Sequence, residues 1–190
     1  MSWKKKLPIF WMITDSSRID VIKAAEKLPR NSGIILRDYN MSDEERLSLG
    51  LCLKKICIRK KIILLVARDA KLAIKINADG IHLPEYMANK INFWRNKKPY
   101  WLITTTAHSA KSVKYAANYG ANAVLISPIF ATASHPEKRP LGILRAMKFM
   151  FFVNKKTLVA YALGGIKPKH DIMLKMAQFQ GFAAISRFEN

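Results

Sequence analysis

Short apolar runs recur along the whole chain, and each is followed by a polar or helix-like stretch before the next begins. They occupy positions 9–14, 33–37, 62–66, 80–83, 100–105, 123–126, 158–162 and 182–185. Runs such as ILLV at 63–66 and AVLI at 123–126 are apolar on both parities, which marks parallel strands covered on both faces. Helix signals fill the gaps. Ser42-Asp43-Glu44-Glu45 reads as a capping box, and it opens a helix whose Leu47, Leu51 and Ile58 fall near one stripe. Ser109 is placed to cap a helix that stops at Gly120, and Pro168 to begin one that stops at Gly181. Eight strands alternating with helices predict an α/β fold, a (β/α)8 TIM barrel, with residues 1–190 forming a single domain. Such barrels usually take about 250 residues, and this chain has 190. The expected barrel is therefore minimal, its eighth helix missing or reduced, since only Glu189 and Asn190 follow Phe188. A doubly wound sheet is the alternative architecture, although most such folds use fewer βα units than this chain supplies.

Composition narrows the picture. Half of the residues are hydrophobic, enough for a core and too many for a disordered polycation. No apolar run approaches the ~18 residues of a membrane span. The lysines and short apolar stretch at the N-terminus imitate a secretory leader, but a proline, Asp15 and the lack of a small-residue cleavage site favour a first buried strand and a cytoplasmic protein. Cys52 and Cys57 have neither redox nor zinc spacing and read as reduced thiols. The net charge is +20, from 33 basic and 13 acidic residues. Its densest clusters, Lys4-Lys5-Lys6, Arg59-Lys60-Lys61, Lys97-Lys98 and Lys155-Lys156, each precede a strand. In a barrel they decorate the N-terminal face, opposite the face that carries chemistry. No nucleic-acid-binding motif accompanies them, so a lysine-biased solvated surface is favoured over nucleic-acid binding.

Chemistry is expected just after each strand. Those positions hold Arg37, then Arg68 and Asp69, His82 and Glu85, Thr106 and His108, the segment 127–135, Gly164-Gly165, and Ser186-Arg187. Gly164-Gly165 and Ile185-Ser186 close strands seven and eight, where barrels of this kind often bind phosphate through backbone N–H groups.

Four segments in order and in register, Ala78-Asp-Gly-Ile-His-Leu-Pro84, Ala107-His108-Ser109, Ser127-Pro-Ile-Phe-Ala-Thr132 with Leu141-Gly142, and Gly164-Gly-Ile166, resemble the successive motifs of the thiamine phosphate synthase/TenI family. The resemblance implies a (β/α)8 barrel acting in thiamine biosynthesis on a phosphorylated thiazole. In the synthase branch, Mg²⁺ assists pyrophosphate departure from a pyrimidine diphosphate, and the thiazole nitrogen captures the carbocation. In the TenI branch a histidine moves a proton to aromatise a thiazole carboxylate phosphate without metal. This chain departs from the synthase pattern. It reads Ile35-Leu36-Arg37-Asp38-Tyr39 for Gln-X-Arg-X-Lys, Ala67-Arg68 for Asn-Asp, Pro84-Glu85-Tyr86-Met87 for Gly-Gln-X-Asp, and Thr132-Ala-Ser134-His135 for Thr-X-Thr-Lys. Mg²⁺ requires hard oxygen ligands, and both expected aspartates are replaced.

By this resemblance the TenI-like branch is the nearer one, with His108 as acid/base. Arg37, Thr132, Ser134, His135, Gly164, Gly165, Ile185 and Ser186 are expected to bind substrate and its phosphate. No metal or other cofactor is expected. A synthase would need Mg²⁺, with Asp69 or Glu85 substituting for the lost carboxylates, and a third alternative is a non-catalytic regulator that binds a phosphorylated ligand. A homodimer is expected, because a barrel without its last helix leaves apolar surface near Phe182, Phe188 and the first strand.

Overall fold

The computed structural model describes residues 7–132, 139–154, 158–185 and 187. Eight parallel strands close into a barrel in chain order: β1 (Phe10–Ile13), β2 (Ser32–Leu36), β3 (Ile63–Ala67), β4 (Gly80–Leu83), β5 (Leu102–Ala107), β6 (Ala123–Ile126), β7 (Val159–Leu163) and β8 (Gly181–Ala184). The crossovers carry α1 (Val21–Lys27), α2 (Asp43–Lys60), α3 (Ala70–Lys75), α4 (Ile91–Lys97), α5 (Ala110–Asn118), α6 (Ile143–Asn154) and α7 (Asp171–Met176). The first and last strands pair with Phe10 opposite Phe182 and Trp11 opposite Ala183. The molecule is thus the expected TIM barrel, every strand lying within two residues of its expected bounds. Among the described residues no α-helix follows β8, and no helix is long and apolar enough to cross a membrane.

Two packing layers follow from the two faces of each strand. Inside the barrel Trp11, Ile35, Leu65, Leu102, Leu125 and Tyr161 form one fully buried cluster. Trp11 meets Tyr161 edge-on at 6.0 Å, and the Tyr161 hydroxyl donates to the Pro8 carbonyl at 2.6 Å. Outside, the opposite strand faces pack beneath the helices. Met12, Ile34 and Leu64 meet Ala24, Leu53 and Ala73 on one half of the barrel. Ile81, Ile103 and Val124 join Val113, Met150 and Leu174 in the cluster on the other half.

Caps appear where the side chains favour them. Ser42 and Glu45 form the reciprocal capping box of α2, and Ser109 caps α5. The buried stripe of α2 differs from expectation. Arg46, Gly50, Leu53 and Cys57 face inward, whereas Leu51 and Ile58 are 45% and 67% exposed. The cause is Arg46, whose guanidinium donates to the Ala67 carbonyl at 2.7 Å and pairs with Asp69. Buried carbonyls at strand ends need a donor, and supplying one sets the rotation of the helix. α7 also ends early, at Met176, with Gln178 left-handed at φ 62°. Gly181 belongs to β8 instead, where a Cβ would stand 1.5 Å from the Ile9 carbonyl oxygen.

The reason for expecting exposed apolar surface at Phe182 does not hold. Phe182 is buried, stacks on Phe10 at 5.6 Å, and is covered by the Arg187 guanidinium at 4.1 Å. Two hydrogen bonds to Asp171 hold that guanidinium in place. Phe188 lies outside the described residues. Of the basic clusters, Arg59-Lys60-Lys61 and Lys97-Lys98 sit at the helix-to-strand turns before β3 and β5, on the N-terminal face. The other two lie outside the described residues.

Gly33 lies directly against a packed side chain of the interior. A Cβ there would stand 2.3 Å from Cε3 and Cζ3 of the Trp11 ring. Gly33→Ala is expected to cost on the order of 1–3 kcal/mol by overpacking, read as a lower urea midpoint with an unchanged m-value. An unshifted midpoint would show that the indole has room to move.

Candidate functional site

The C-terminal rim of the barrel opens into a cavity of about 910 Å³. Its floor is made by the uppermost inward residues, among them Ile13, Ile35, Ala67, His82, Leu163 and Ala183. Its walls come from the loops. His108, just beyond β5, and Glu85, which opens a short 3-10 turn after β4, both line it. Nδ1 of His108 lies 2.6 Å from the Ser127 carbonyl oxygen. A carbonyl can only accept, so Nδ1 carries a proton, and Nε2 is the nitrogen whose lone pair is available whenever the ring is neutral. Oε2 of Glu85 accepts from the His108 backbone N–H at 2.9 Å and stands 3.7 Å from Nε2. The imidazole is therefore held from both sides at the edge of the cavity.

On the far wall Gly164, Gly165 and Ile185 follow β7 and β8, with Thr132 and Lys167 nearby. Both glycines have positive φ. At Gly165 a Cβ would stand 2.1 Å from the Ala131 carbonyl oxygen, so the turn has room for no side chain. Phe130 N–H donates to the Gly164 carbonyl at 3.1 Å, which ties this turn to the loop after β6. Among the described residues, the amides of Gly165 and Ile166 donate to no backbone carbonyl, and backbone amides without such a partner at a barrel rim can serve an anion.

Arg37 lines the cavity as expected, but it is shared: its guanidinium lies 2.5 Å from the Asp15 carboxylate. Arg18 in the loop after β1 also lines it, as do Tyr39 and Tyr86. Asp69 does not. It caps α3 through Leu72 N–H at 2.9 Å and pairs with Arg46 at 3.4 Å, so it is occupied structurally below the rim. Ser134, His135 and Ser186 lie outside the described residues.

Comparison with known proteins assigns the family. The family model described as thiamine monophosphate synthase (TMP-TENI) matches residues 10–188. The chain belongs to the thiamine monophosphate synthase/TenI family. A protein of Aquifex aeolicus (strain VF5) provisionally named thiamine-phosphate synthase 2 is 32% identical over 188 residues, covering 96% of this chain and 98% of that protein. The thiamine-phosphate synthase of Prochlorococcus marinus (strain AS9601) is 28% identical over 158 residues, 78% of this chain but 42% of its own length. Among solved structures, thiamine phosphate pyrophosphorylase from Pyrococcus furiosus superposes with a TM-score of 0.82 at 20% identity, covering 95% of this chain and 86% of that one. At that identity the likeness speaks for the fold.

Within this family the synthase branch implies Mg²⁺, and the residues present here do not fit it. Where the synthase pattern supplies Asn-Asp, Ala67 offers no oxygen and Arg68 a cation, held over the Tyr39 ring at 4.5 Å. Met87 replaces the second carboxylate, Asp69 is committed to Arg46, and Glu85 to His108.

Two side chains in the site, Arg18 and Lys167, lay beyond the sequence-based expectation. Both come from loop positions that no motif marks, and only their place one loop beyond a strand end signals them. His82 was among the strand-end positions read from the sequence. It is buried on the cavity floor, with Nδ1 2.8 Å from the Thr104 hydroxyl and Nε2 3.1 Å from the Thr106 hydroxyl. Burial pushes its pKa from 6.5 down to about 4. The native state therefore binds this proton later than the unfolded chain as pH falls. Stability contributed by neutral His82 is complete above pH 6.5 and is lost between 6.5 and about 4, by roughly 3 kcal/mol. Asp20, Glu45 and Asp171, whose pKa values are lowered from the usual carboxylate values, add their losses mainly below that window. Urea titrations at stepped pH should show the decline in the native protein and a flatter profile in His82→Gln. Parallel profiles would mean that the buried imidazole is not the source.

Proposed function

We propose that this chain is a metal-independent proton-transfer catalyst that tautomerises a phosphorylated thiazole. The observation carrying this reading is the placement of His108: its Nδ1–H is directed to the Ser127 carbonyl, which leaves Nε2 at the cavity edge as the nitrogen that would exchange a proton with a ligand. In the step envisaged, Nε2 takes a proton from a ring-system carbon of the substrate. The C–H electron pair moves into the conjugated system. The imidazolium then returns the proton at the carbon whose protonation completes the aromatic thiazole, so nothing is oxidised or reduced and no group leaves. The Glu85 carboxylate, 3.7 Å from Nε2, supplies the opposite charge while the imidazolium exists. The substrate phosphate sits against the Gly164-Gly165 turn, Ile185 and Lys167, which spans the ring across the cavity toward His108.

A second reading, thiamine phosphate synthase, is favoured by the names of the relatives. It would require a pyrimidine diphosphate to depart without the carboxylates that the resemblance calls for. Tautomerisation assayed in excess EDTA separates the two. The native protein should retain its rate, and His108→Asn should fall by about 10²- to 10⁴-fold, the usual cost of losing a general acid/base. Activity abolished by EDTA would favour the synthase. EDTA-resistant activity that survives the substitution would mean that another group is the base. Ligand binding with no turnover of either kind would point to the non-catalytic regulator.

The phosphate contact has its own test. Replacing Gly165 with valine places atoms where the turn meets Ala131 and closes the approach to the amides. Calorimetry should show thiazole phosphate binding weakened by at least about tenfold, equivalent to 1.4 kcal/mol. Lys167→Ala, which leaves the turn intact, should weaken it in the same direction. Unchanged affinity in both variants would move the phosphate elsewhere.

A further inference from the structure

Between Glu85 and Glu137 the sequence has no acidic residue, while positions 90–122 within that stretch carry Lys90, Arg95, Lys97, Lys98, Lys111 and Lys114. The fold sets these cations among aromatic rings. Along α4 and the turn after it the rings form a ladder. Phe93 meets Trp94 at 5.0 Å, Trp94 meets Trp101 at 5.5 Å, and the Lys98 ammonium lies over Trp101 at 5.7 Å. On α5, Tyr115 stacks on Tyr119 at 4.1 Å. Arg95 joins the two groups: its guanidinium donates to the Pro99, Trp101 and Gly120 carbonyls and to the Asn122 side chain. The turn before β5 is thereby pinned to the turn before β6, on the N-terminal face, away from the cavity. Phe93, Tyr100 and Tyr119 are 55%, 68% and 42% exposed there, and Lys97, Lys111 and Lys114 are exposed with them. The ion pairs of the described residues engage none of the five lysines. Asp79, which precedes β4 on the same face, is paired with Lys54.

We infer that this corner, built from α4, the end of α5 and the turns before β5 and β6, is a binding surface for single-stranded nucleic acid. Such a strand offers the two things the corner complements: a row of phosphates for lysines that no carboxylate neutralises, and unpaired bases whose faces stack on rings. A duplex offers only the phosphates, because its bases are already stacked on one another. An anionic bilayer also attracts cations and rings, but a helix lying in the lipid interface buries an apolar face. Here no leucine, isoleucine, valine or methionine between positions 90 and 122 is exposed, and Asn92, Asn96 and Asn118 are exposed among the rings instead. Rings and amides without aliphatic side chains suit bases better than acyl chains. The basic clusters read along the sequence as a solvated surface because rings and cations from two separate segments meet only once Arg95 has joined the turns.

Fluorescence anisotropy of the native full-length chain with labelled oligouridine of about 12 nucleotides tests this. Affinity should fall by about tenfold or more between about 50 and about 200 mM NaCl, as for roughly three phosphate contacts on a single strand. A duplex of the same length should bind more weakly. Phe93→Ala with Tyr100→Ala removes two exposed rings and no charge. This pair should weaken binding by about tenfold or more, the loss of a stacked base, with the salt dependence and melting temperature unchanged. Lys97→Gln with Lys98→Gln should weaken binding and flatten the salt dependence. The control Lys27→Gln with Arg30→Gln removes equal charge from the end of α1, across the barrel from β5, and should leave affinity nearly unchanged. Absence of binding at the lower salt overturns the inference. Equal affinity for the duplex, full affinity in the ring variant, or equal losses in the two charge variants would each show attraction by charge alone and overturn it too. Sedimentation with phosphatidylglycerol-containing vesicles, without oligonucleotide binding, would assign the corner to a membrane surface instead.

Discussion

Closure of the barrel around Trp11 and Tyr161 is the constraint on which the rest depends. Eight short strands can close only if their inward side chains fill the interior and the closing pair fits together. Trp11 fits because Gly33 has no side chain beneath the ring, and β8 meets the start of β1 because Gly181 has none. The Tyr161 hydroxyl, bonded to Pro8, closes the N-terminal end. One layer higher the inward residues include the small or polar Ala67, Ala183, Thr106 and His82 beside the larger Ile13 and Leu163. The cavity begins where these smaller residues interrupt the bulk of the interior. Every loop that carries chemistry is delivered to that rim by a strand whose register the interior has set.

This explains how much of the molecule could be read beforehand. Strand number, order and ends follow from runs that must be apolar on both faces, and such runs have few alternative readings. The glycine pair and His108 were legible because they sit at fixed offsets from strand ends. What escaped depended on one side chain overriding a pattern. Arg46 turns the inner face of α2 because strand-end carbonyls need a donor, and apolar counting cannot see that need. Arg187 lies over Phe182, so a cation covers a ring that hydrophobicity alone would leave bare. Asp69 looked like a free strand-end carboxylate, yet both of its oxygens are used to cap α3 and to pair with Arg46.

The site's electrostatics turn on the same substitutions. Among the described residues lining the cavity, Glu85 is the single carboxylate, while Arg18, Arg37 and Lys167 are cations and His82 is held neutral by burial. Arg18, Arg37 and Lys167 follow β1, β2 and β7, on one side of the barrel mouth, and Arg37 is shared with Asp15, so an anionic ligand would meet positive charge on that side. Arg68 reinforces that balance at the place where the synthase pattern carries a carboxylate. In a cavity with a metal, the protein supplies anions and the ligand's phosphates share the cation. Here the protein supplies cations itself, an arrangement suited to an anionic ligand and the basis of the metal-independent reading proposed above.

The one carboxylate left is also the one tied to the candidate base, and that coupling gives the proposed chemistry its economy of parts. Glu85 reaches His108 across adjacent strand ends, from the turn after β4 to the turn after β5, so the spacing of paired strands sets the distance between acid and imidazole. Ser127, after β6, fixes the ring from the other side. Three consecutive strands therefore hold one imidazole, and the Gly164-Gly165 turn and Ile185, the proposed phosphate contacts, follow the next two. A proton-transfer site needs little more than a base of known tautomer, a counter-charge and a fixed substrate, and a barrel whose register is set by its packed interior can supply all three from neighbouring loops.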